Sequence, residues 1–292
     1  MLARSPAMVR TGAQRCNKRM TYLLIGGTGK TGRRVNDRLT ARGLPVRVGS
    51  RTGAPPFDWN ADPDTWIPVL EGVSAAYLTY YPDLAFPGAP ESIRAFAERA
   101  TAAGVRRLVL LSGRGEEEAE VAERELAAVA TEWTVVRATW FAQDFNEHFL
   151  LPPVLAGEIA LPTDVPEPFV DLEDVADVVV AALTEEGHHG MTYELTGPRL
   201  VTFAEAAAEI SAASGRPVRF QSVTPAECAA RMLAGGGMSV EEAEALTDLF
   251  ARILDGRNAH VTGDVKRVTG HEPRDFRDFV KAAAMTGVWD EH

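Results

Sequence analysis

Cysteine is scarce in this chain: Cys16 and Cys228 are the only two among 292 residues. They stand far apart, with no second Cys or close His to complete a metal set. That excludes a disulfide framework and a zinc site, and it makes a reducing cytoplasm the expected setting. No apolar stretch reaches the roughly 18 residues that a membrane-spanning helix needs. Positive charge is in deficit, with 30 Lys and Arg against 41 Asp and Glu, for a formal net charge of -11. Such a surface repels phosphate backbones, so no nucleic-acid partner is expected. Internal repeats and low-complexity linkers are missing too. What is present is ordinary for a globular protein with a sizeable core: 46% hydrophobic and 24% charged residues, with a mean hydropathy of -0.10.

Residues 1–19 lack acids altogether and carry Arg4, Arg10, Arg15, Lys18 and Arg19. Ala7-Met8-Val9 is too short an apolar run for a signal peptide. The segment reads as a loose leader, or as the product of an upstream start codon with Met20 as the working start. A basic targeting arm is the competing reading.

From Met20 onward, short apolar runs alternate with helical patterns, which predicts a parallel sheet with crossover helices. Tyr22–Ile25, Val46–Val48, Ala76–Leu78, Leu108–Leu111 and Trp133–Val136 read as strands. A helix is expected from Lys30, with Val35 and Leu39 on one face and Gly43 and Pro45 closing it. Trp66, Val69 and Leu70 belong to a short helix opened by Asp62-Pro63. Ile93, Phe96, Ala97 and Ala100 mark another, and Glu116 to Ala130 a third. Pro152, Pro153, Pro162, Pro166 and Pro168 break the region after Phe149 into loops. A helix over Asp171–Leu183 and a strand over Thr192–Thr196 come next. Thr202 opens a helix to Ala213, Thr224 and Ser239 start capping boxes, and a last helix runs from Arg274 to Met285. The expected fold is α/β, a doubly wound parallel-sheet Rossmann domain over residues 20–150. Residues 168–197 complete its sheet, and a smaller, mostly helical lobe within 151–292 covers the substrate side.

Directly after the first strand stands Gly26-Gly27-Thr28-Gly29-Lys30-Thr31-Gly32. A diphosphate must approach bare N–H groups at a helix N-terminus, where side chains would block it. Gly26 suits the tight turn, Gly29 the close approach, and Gly32 the helix–strand contact. A strand before and a helix after separate this motif from a plain glycine-rich turn. The second strand then selects the nucleotide. An NAD site places an acid at its end, whereas this chain has Gly49-Ser50-Arg51 and no acid until Asp58. Arg51 and Ser50 suit a 2′-phosphate, so NADP(H) is the expected cofactor. A solvent-facing arginine is the plainer alternative.

With these residues on the page, the chain resembles the NmrA-like branch of the atypical short-chain dehydrogenase/reductases, in particular bacterial relatives of the ergot-alkaloid reductases. The resemblance rests on Gly26–Gly32, Arg51, Phe57-Asp58-Trp59, Gly104–Ser112, Glu132–Arg137, Thr139-Trp140-Phe141, Asp174-Val175-Ala176 and Tyr193–Gly197, and it spans Met20 to about Trp289. It implies a Rossmann core with substrate held between the sheet's carboxyl edge and the smaller lobe. It also implies that Asp58 and Trp59 neighbour the adenine, and that Thr79, Tyr80 and Tyr81 line the cofactor. Ser112, Thr139, Trp140 and Phe141 would lie near the nicotinamide. Trp140 and Phe141 read equally well as core aromatics, but two adjacent phenols, Tyr80 and Tyr81, do not both bury easily.

One departure is chemical. The wider superfamily donates a proton from a Tyr-x-x-x-Lys pair, and between Ser112 and Trp133 this chain has neither Tyr nor Lys. Glu116-Glu117-Glu118-Ala119-Glu120 fills that stretch and reads as a solvated helix face. Simple ketone reduction, which needs a proton at the alkoxide, is therefore disfavoured. Hydride transfer to an iminium, a quinone or an activated alkene makes less demand on an acid. Tyr81, Asp144 and His148 remain weak candidate proton donors, each read first as pocket wall or surface. Met232, Met238, Leu246 and Phe250 could close the pocket, though most read as core.

Two functions follow. One is an NADPH-dependent reductase of a small electron-poor substrate of iminium, quinone or azo type, with the hydride carried by the cofactor. The other is a non-catalytic NADP(H) sensor acting through a protein partner. No metal and no membrane partner is expected, and the oligomeric state stays open.

Overall fold

The computed structural model describes residues 20–147, 149–235 and 239–290. The leader with Cys16, together with His148 and Met238, lies outside these described residues. Strands β1 (Thr21–Ile25), β2 (Val46–Gly49), β3 (Val73–Leu78), β4 (Arg107–Gly113), β5 (Glu132–Ala138), β6 (Glu158–Leu161), β7 (Met191–Leu195) and β8 (Arg219–Ser222) supply the sheets. The first half holds helices α1 (Lys30–Ala41), α2 (Ile67–Leu70), α3 (Ala89–Ala102), α4 (Glu117–Val129), α5 (Asp144–Glu147) and α6 (Leu151–Leu155). The second half adds α7 (Leu172–Thr184), α8 (Phe203–Ser214), α9 (Pro225–Ala234), α10 (Val240–Ile253), α11 (Asp264–Thr269) and α12 (Phe276–Met285).

Six strands form one sheet in the order β2-β1-β3-β4-β5-β7, every neighbouring pair parallel. Both faces are covered, which is why β1 reads as a continuous apolar run. Its side chains alternate between the faces. Tyr22 and Leu24 join Val35, Leu39, Val175 and Val179 beneath α1 and α7. Leu23 and Ile25 join Ile93, Phe96, Leu110 and Leu126 beneath α3 and α4. The chain leaves β1 in both lateral directions, so the strand order reverses between β1 and β3. An open α/β sheet parts its loops at that point to admit a ligand.

Charge ties α1 to α7. Arg34 Nε donates to Glu173 Oε1 at 2.7 Å, and Arg38 Nε to Asp177 Oδ1 at 2.6 Å. Burial acts to raise both acids, but guanidinium groups win: Arg38 and Arg34 hold Glu173, and Arg38 and Arg274 hold Asp177, below the usual carboxylate range.

The doubly wound parallel sheet is the expected one, and β7 pairs with β5 at its edge. The second half differs in detail. β6 and β8 pair in parallel as a separate two-stranded sheet, where the prolines had suggested loops alone. Four residues of alternating burial over Glu158–Leu161 are too brief a signal beside those prolines, and Arg219–Ser222 is largely exposed. The short helix α11 also adds to the expected set. The capping boxes at Thr224 and Ser239 form as read, and Thr202 adds another with Glu205. A large apolar cluster joins Trp140, Phe145, Phe169, Phe203, Phe250 and Phe276, and it packs the helical lobe onto the end of the sheet.

Candidate functional site

The site begins where β1 turns into α1. Gly26 sits at φ 75°, a left-handed conformation that glycine adopts without strain. A Cβ there would fall 2.1 Å from Thr79 Oγ1, and one on Gly32 would fall 2.2 Å from the Gly26 carbonyl oxygen. Backbone from the turn and from the helix is therefore in direct contact. Gly29 caps α1 in an extended conformation with no side-chain bond, and the first turn holds no acid. The opening intrahelical bond runs from Arg33 N–H to Gly29 O at 3.0 Å. The N–H groups of Lys30, Thr31 and Gly32 are thus left to point out of a 12-residue helix, at its positive end. A bare cradle of this shape fits a diphosphate.

Above this turn opens a cavity of about 440 Å³. Gly26, Gly29, Lys30 and Thr31 form its floor. The carboxyl ends of three strands contribute Thr79, Tyr80 and Tyr81, then Ser112 and Gly113, then Thr139, Trp140 and Phe141. Met232 of α9 and Leu246, Leu249, Phe250 and Ile253 of α10 close the far side. Residues read separately along the sequence thus meet at one place. Trp140 and Phe250 serve both as core and as wall, with ring centroids 4.8 Å apart, and Trp140 Nε1 is buried without a hydrogen-bond partner.

Other expected residues take different positions. Ser50 and Arg51 follow β2 and lie outside this cavity. Arg51 is exposed. Among the arginines of the described residues, only Arg42 and Arg51 make no ion pair and no side-chain hydrogen bond, and Arg42 is at the opposite end of α1. Thr28 is exposed on the loop, and Gly27 packs against Leu24 and Val48. Asp58 and Trp59 buttress the loop beside β3. The Trp59 indole N–H donates to Thr79 O at 2.9 Å, the Trp66 indole to Asp58 O at 2.8 Å, and the Phe57 and Trp59 rings meet edge to face.

The weak candidate acids are occupied or distant. Tyr81 is 72% exposed at the mouth. Asp144 is buried and takes the Lys30 ammonium at 2.5 Å, while Lys30 also lies over the Phe141 ring. Ser112 lines the cavity, but its hydroxyl donates to Glu123 Oε1 at 2.6 Å.

The acidic stretch is the main correction. Glu116 is not on a solvated face: it is 9% exposed, lines the cavity and sits against Asp83. Gly113 makes the room, since a Cβ there would fall 2.0 Å from the Glu116 carboxyl carbon. Glu123, nearly two turns into α4, is buried as well and holds Arg137 at 2.6 Å. The helix packs along β4 and β5, so Glu116 just before it and Glu123 within it turn inward, while Glu117 is exposed and Glu118 half-exposed. Burial, followed by the neighbouring charge of Asp83, pushes Glu116 well above the usual carboxylate range. Burial also raises Asp83. No local pattern announces this pair, because the two carboxyls are far apart in sequence. The nearest hint is that Asp83 follows Tyr80-Tyr81-Pro82 at the sheet's carboxyl edge.

Two further polar features lie close by. Glu167 is fully buried behind Thr139, whose hydroxyl donates to Oε2 at 3.0 Å; Oε1 has no partner, and burial pushes the acid up to about 7. Arg114, 3% exposed, donates to Glu194 at 3.0 Å and to the Asn258 carbonyl at 3.0 Å, pinning the segment after α10 to β4. Asp174, Asp177 and His271 cluster elsewhere, but Arg274 already pairs with both carboxylates.

No family model matches the chain. Relatives do. It is 34% identical over 288 residues to an uncharacterised oxidoreductase, YesF, of Bacillus subtilis, covering 94% of this chain and 99% of that one. It is 33% identical to the agroclavine dehydrogenase of Claviceps fusiformis, covering 89% and 96%. An NAD(P)H azoreductase of Xenophilus azovorans is 32% identical, with 90% and 97% covered. The chain belongs to the NmrA-like branch of the short-chain dehydrogenase/reductases. Its class is that of the NAD(P)H-dependent oxidoreductases. The fold of this NmrA-like protein is shared with the Escherichia coli quinone oxidoreductase QOR2, solved with NADPH, at a TM-score of 0.75 and 21% identity over 89% and 99% of the two chains. Among the described residues, no helix is long and apolar enough to cross a membrane.

Proposed function

We propose that this NmrA-like protein is an NADPH-dependent reductase that passes a hydride to a small, flat, electron-poor acceptor of quinone, azo or iminium type. The observation that carries the reading is the single cavity joining the glycine cradle to a wall of Trp140, Leu246, Leu249 and Phe250. The bare amides at the head of α1 hold the diphosphate, and the unpaired Arg51 guanidinium holds the 2′-phosphate. Thr79, Tyr80 and Tyr81 flank the cofactor on one side, and Thr139, Trp140 and Phe141 border its nicotinamide end. When bound, the dihydronicotinamide supplies the hydride. The protein excludes water from the acceptor with the apolar side chains of α9 and α10, and it offers the Trp140 N–H to an acceptor heteroatom. The Xenophilus azovorans relative is an NAD(P)H azoreductase, which agrees with this substrate class. A redox sensor has no need of an apolar chamber beside its nucleotide, so the sensor reading is the weaker one.

NADPH consumption with a panel of quinones, azo dyes and cyclic iminium salts tests the activity, and turnover with none of them overturns the reading. The nucleotide choice is tested by titration. Arg51→Ala is expected to weaken NADPH by about ten- to a hundred-fold, the worth of a charge-assisted contact, with NADH changed less than about two-fold. Equal losses for both would remove Arg51 from the site.

A further inference from the structure

We propose that Asp83 and Glu116 together form the proton donor of this cavity, serving acceptors that take up a proton along with the hydride. The inference rests on the reductase reading and adds to it the acid that the chain's missing Tyr/Lys pair leaves unaccounted for.

The two carboxyls come from separate elements, Asp83 from the loop after β3 and Glu116 from the residue before α4, and both line the cavity. Gly113 is bare where the Glu116 carboxyl lies, so β4 itself admits the acid. Glu116 Oε2 is buried with no hydrogen-bond partner. No Lys, Arg or His pairs with either acid among the described residues. The charges facing Glu116 are Asp83 from the β3 loop and Glu118 and Glu123 from α4. Of these, Glu123 is offset by Arg137 of β5 and Glu118 by Arg252 of α10. Two carboxyls in such a site cannot both ionise easily, so they keep one proton between them. Asp83 Oδ1 accepts the Ala85 N–H at 2.8 Å, which favours the negative charge on Asp83 and leaves the proton on Glu116. A second observation points to a ligand in the same space. Among the described residues Trp140 Nε1 is a buried donor without an acceptor, an unfavourable state that an acceptor oxygen or nitrogen in the cavity relieves.

The chemistry balances. In a quinone, the hydride forms a C–H bond at a ring carbon, the C=C π pair shifts along the ring and the conjugated C=O π pair moves onto oxygen, which gives a tautomer of the hydroquinone once that oxygen is protonated. The Glu116 O–H bond then breaks and its proton goes to that oxygen. In an azo compound, the hydride takes one nitrogen, the N=N π pair moves to the other, and the proton joins it there. The pair is left with both carboxylates charged and regains a proton from solvent at the open mouth. An iminium differs: the hydride adds to carbon and the pair moves onto the cationic nitrogen, so no proton is required.

That contrast supplies the test. In the infrared difference between wild type and Glu116→Gln, both free of cofactor near neutral pH, a protonated-carboxyl C=O band that shifts in heavy water should appear, apart from the Glu167 band that both proteins keep. With NADPH, Glu116→Gln should lose about 10²–10³-fold in kcat on a quinone or azo dye, and at least about ten-fold less on an iminium salt. Quinone turnover by the wild type should fall as pH rises and strips the shared proton, while iminium turnover holds. Should Glu116→Gln fail to fold, Asp83→Asn removes the partner charge from a loop position, and the pH fall on quinone should move to lower pH. A reductase without the band, or equal losses on both acceptor types, overturns this role alone. A band without turnover of any acceptor overturns the reductase reading, and this role with it.

Discussion

The floor of the cavity comes from a glycine turn and the head of α1, Gly26, Gly29, Lys30 and Thr31, whereas its far wall is made of larger side chains, from Met232 on α9 to Ile253 on α10. At Gly26 and Gly32, atoms meet at distances no Cβ tolerates, so these two glycines are required by geometry rather than by chemistry, while Gly27 and Gly29 are tight at 3.0 and 3.2 Å. On the wall, branched and aromatic side chains share the space with a cavity, and one can replace another if volume is kept. A fold built this way keeps one cofactor and changes substrates. The contrast is sharpest at Gly32. In Gly32→Ala the new Cβ would meet the Gly26 carbonyl oxygen at 2.2 Å and Gly27 Cα at 2.6 Å, both of them backbone. A loss of about 3 kcal/mol in stability is expected, with dinucleotide binding abolished. Unfolding curves and calorimetry check both, and an unchanged affinity would show that the cradle is not the binding site.

Phe250→Ala probes the other side. Phe250 packs on Trp140 and stacks on Phe149 at 5.5 Å. Truncation should cost about 2 kcal/mol, less than a fully enclosed Phe, because one face already borders empty space. KM for a planar acceptor should rise several-fold while NADPH affinity holds. A matching fall in NADPH affinity would mean that floor and wall are not separable.

The floor was legible because its signal is local. Seven consecutive residues between a strand and a helix carry it, and backbone needs restrict each glycine to few alternatives. The missing acid after β2 was legible for the same reason. The wall was not, since α10's face reads as core from its periodicity, and Phe250 is core and wall at once. The acid pair was least legible of all. Asp83 and Glu116 meet only through the packing of α3 and α4 on the sheet, and the helix that holds Glu116 looks, by composition, like a solvated surface. Trp59, implied by the resemblance to neighbour adenine, donates its indole N–H to Thr79 O within an aromatic cluster, a contact that no local sequence pattern announces.

Glu167 separates the two sides by pH. It lies behind Thr139, out of the cavity, with its folded-state acid raised to about 7. A carboxyl raised in the folded state contributes stability that is fully present below its unfolded value and is lost as pH rises through 7. Glu167→Gln keeps an acceptor for Thr139 and cannot ionise. It should gain about 2 kcal/mol over the wild type at about pH 8 relative to about pH 5. Thermal unfolding at the two pH values reads this directly. A gain that is flat with pH would mean that the folded-state acid is not raised and that Glu167 is already ionised beside Arg114.

The smallest effect is expected at Tyr81, where the comparison is most easily misread. Its phenol stands at the cavity mouth, next to Tyr80 and two residues before Asp83, so adjacency alone would make it a proton donor. Yet it is 72% exposed and no side chain orients it. A general acid must be held within hydrogen-bond reach of the reacting atom, and a freely rotating surface phenol is not. Tyr80, by contrast, packs on Trp59 at 5.2 Å and is fixed. Tyr81→Phe should therefore change kcat on a quinone by less than about two-fold, whereas removing the Glu116 acid costs orders of magnitude. A ten-fold loss in Tyr81→Phe would move the proton source from the buried pair to the mouth, and the wall would then owe its acid to the strand end rather than to the helix.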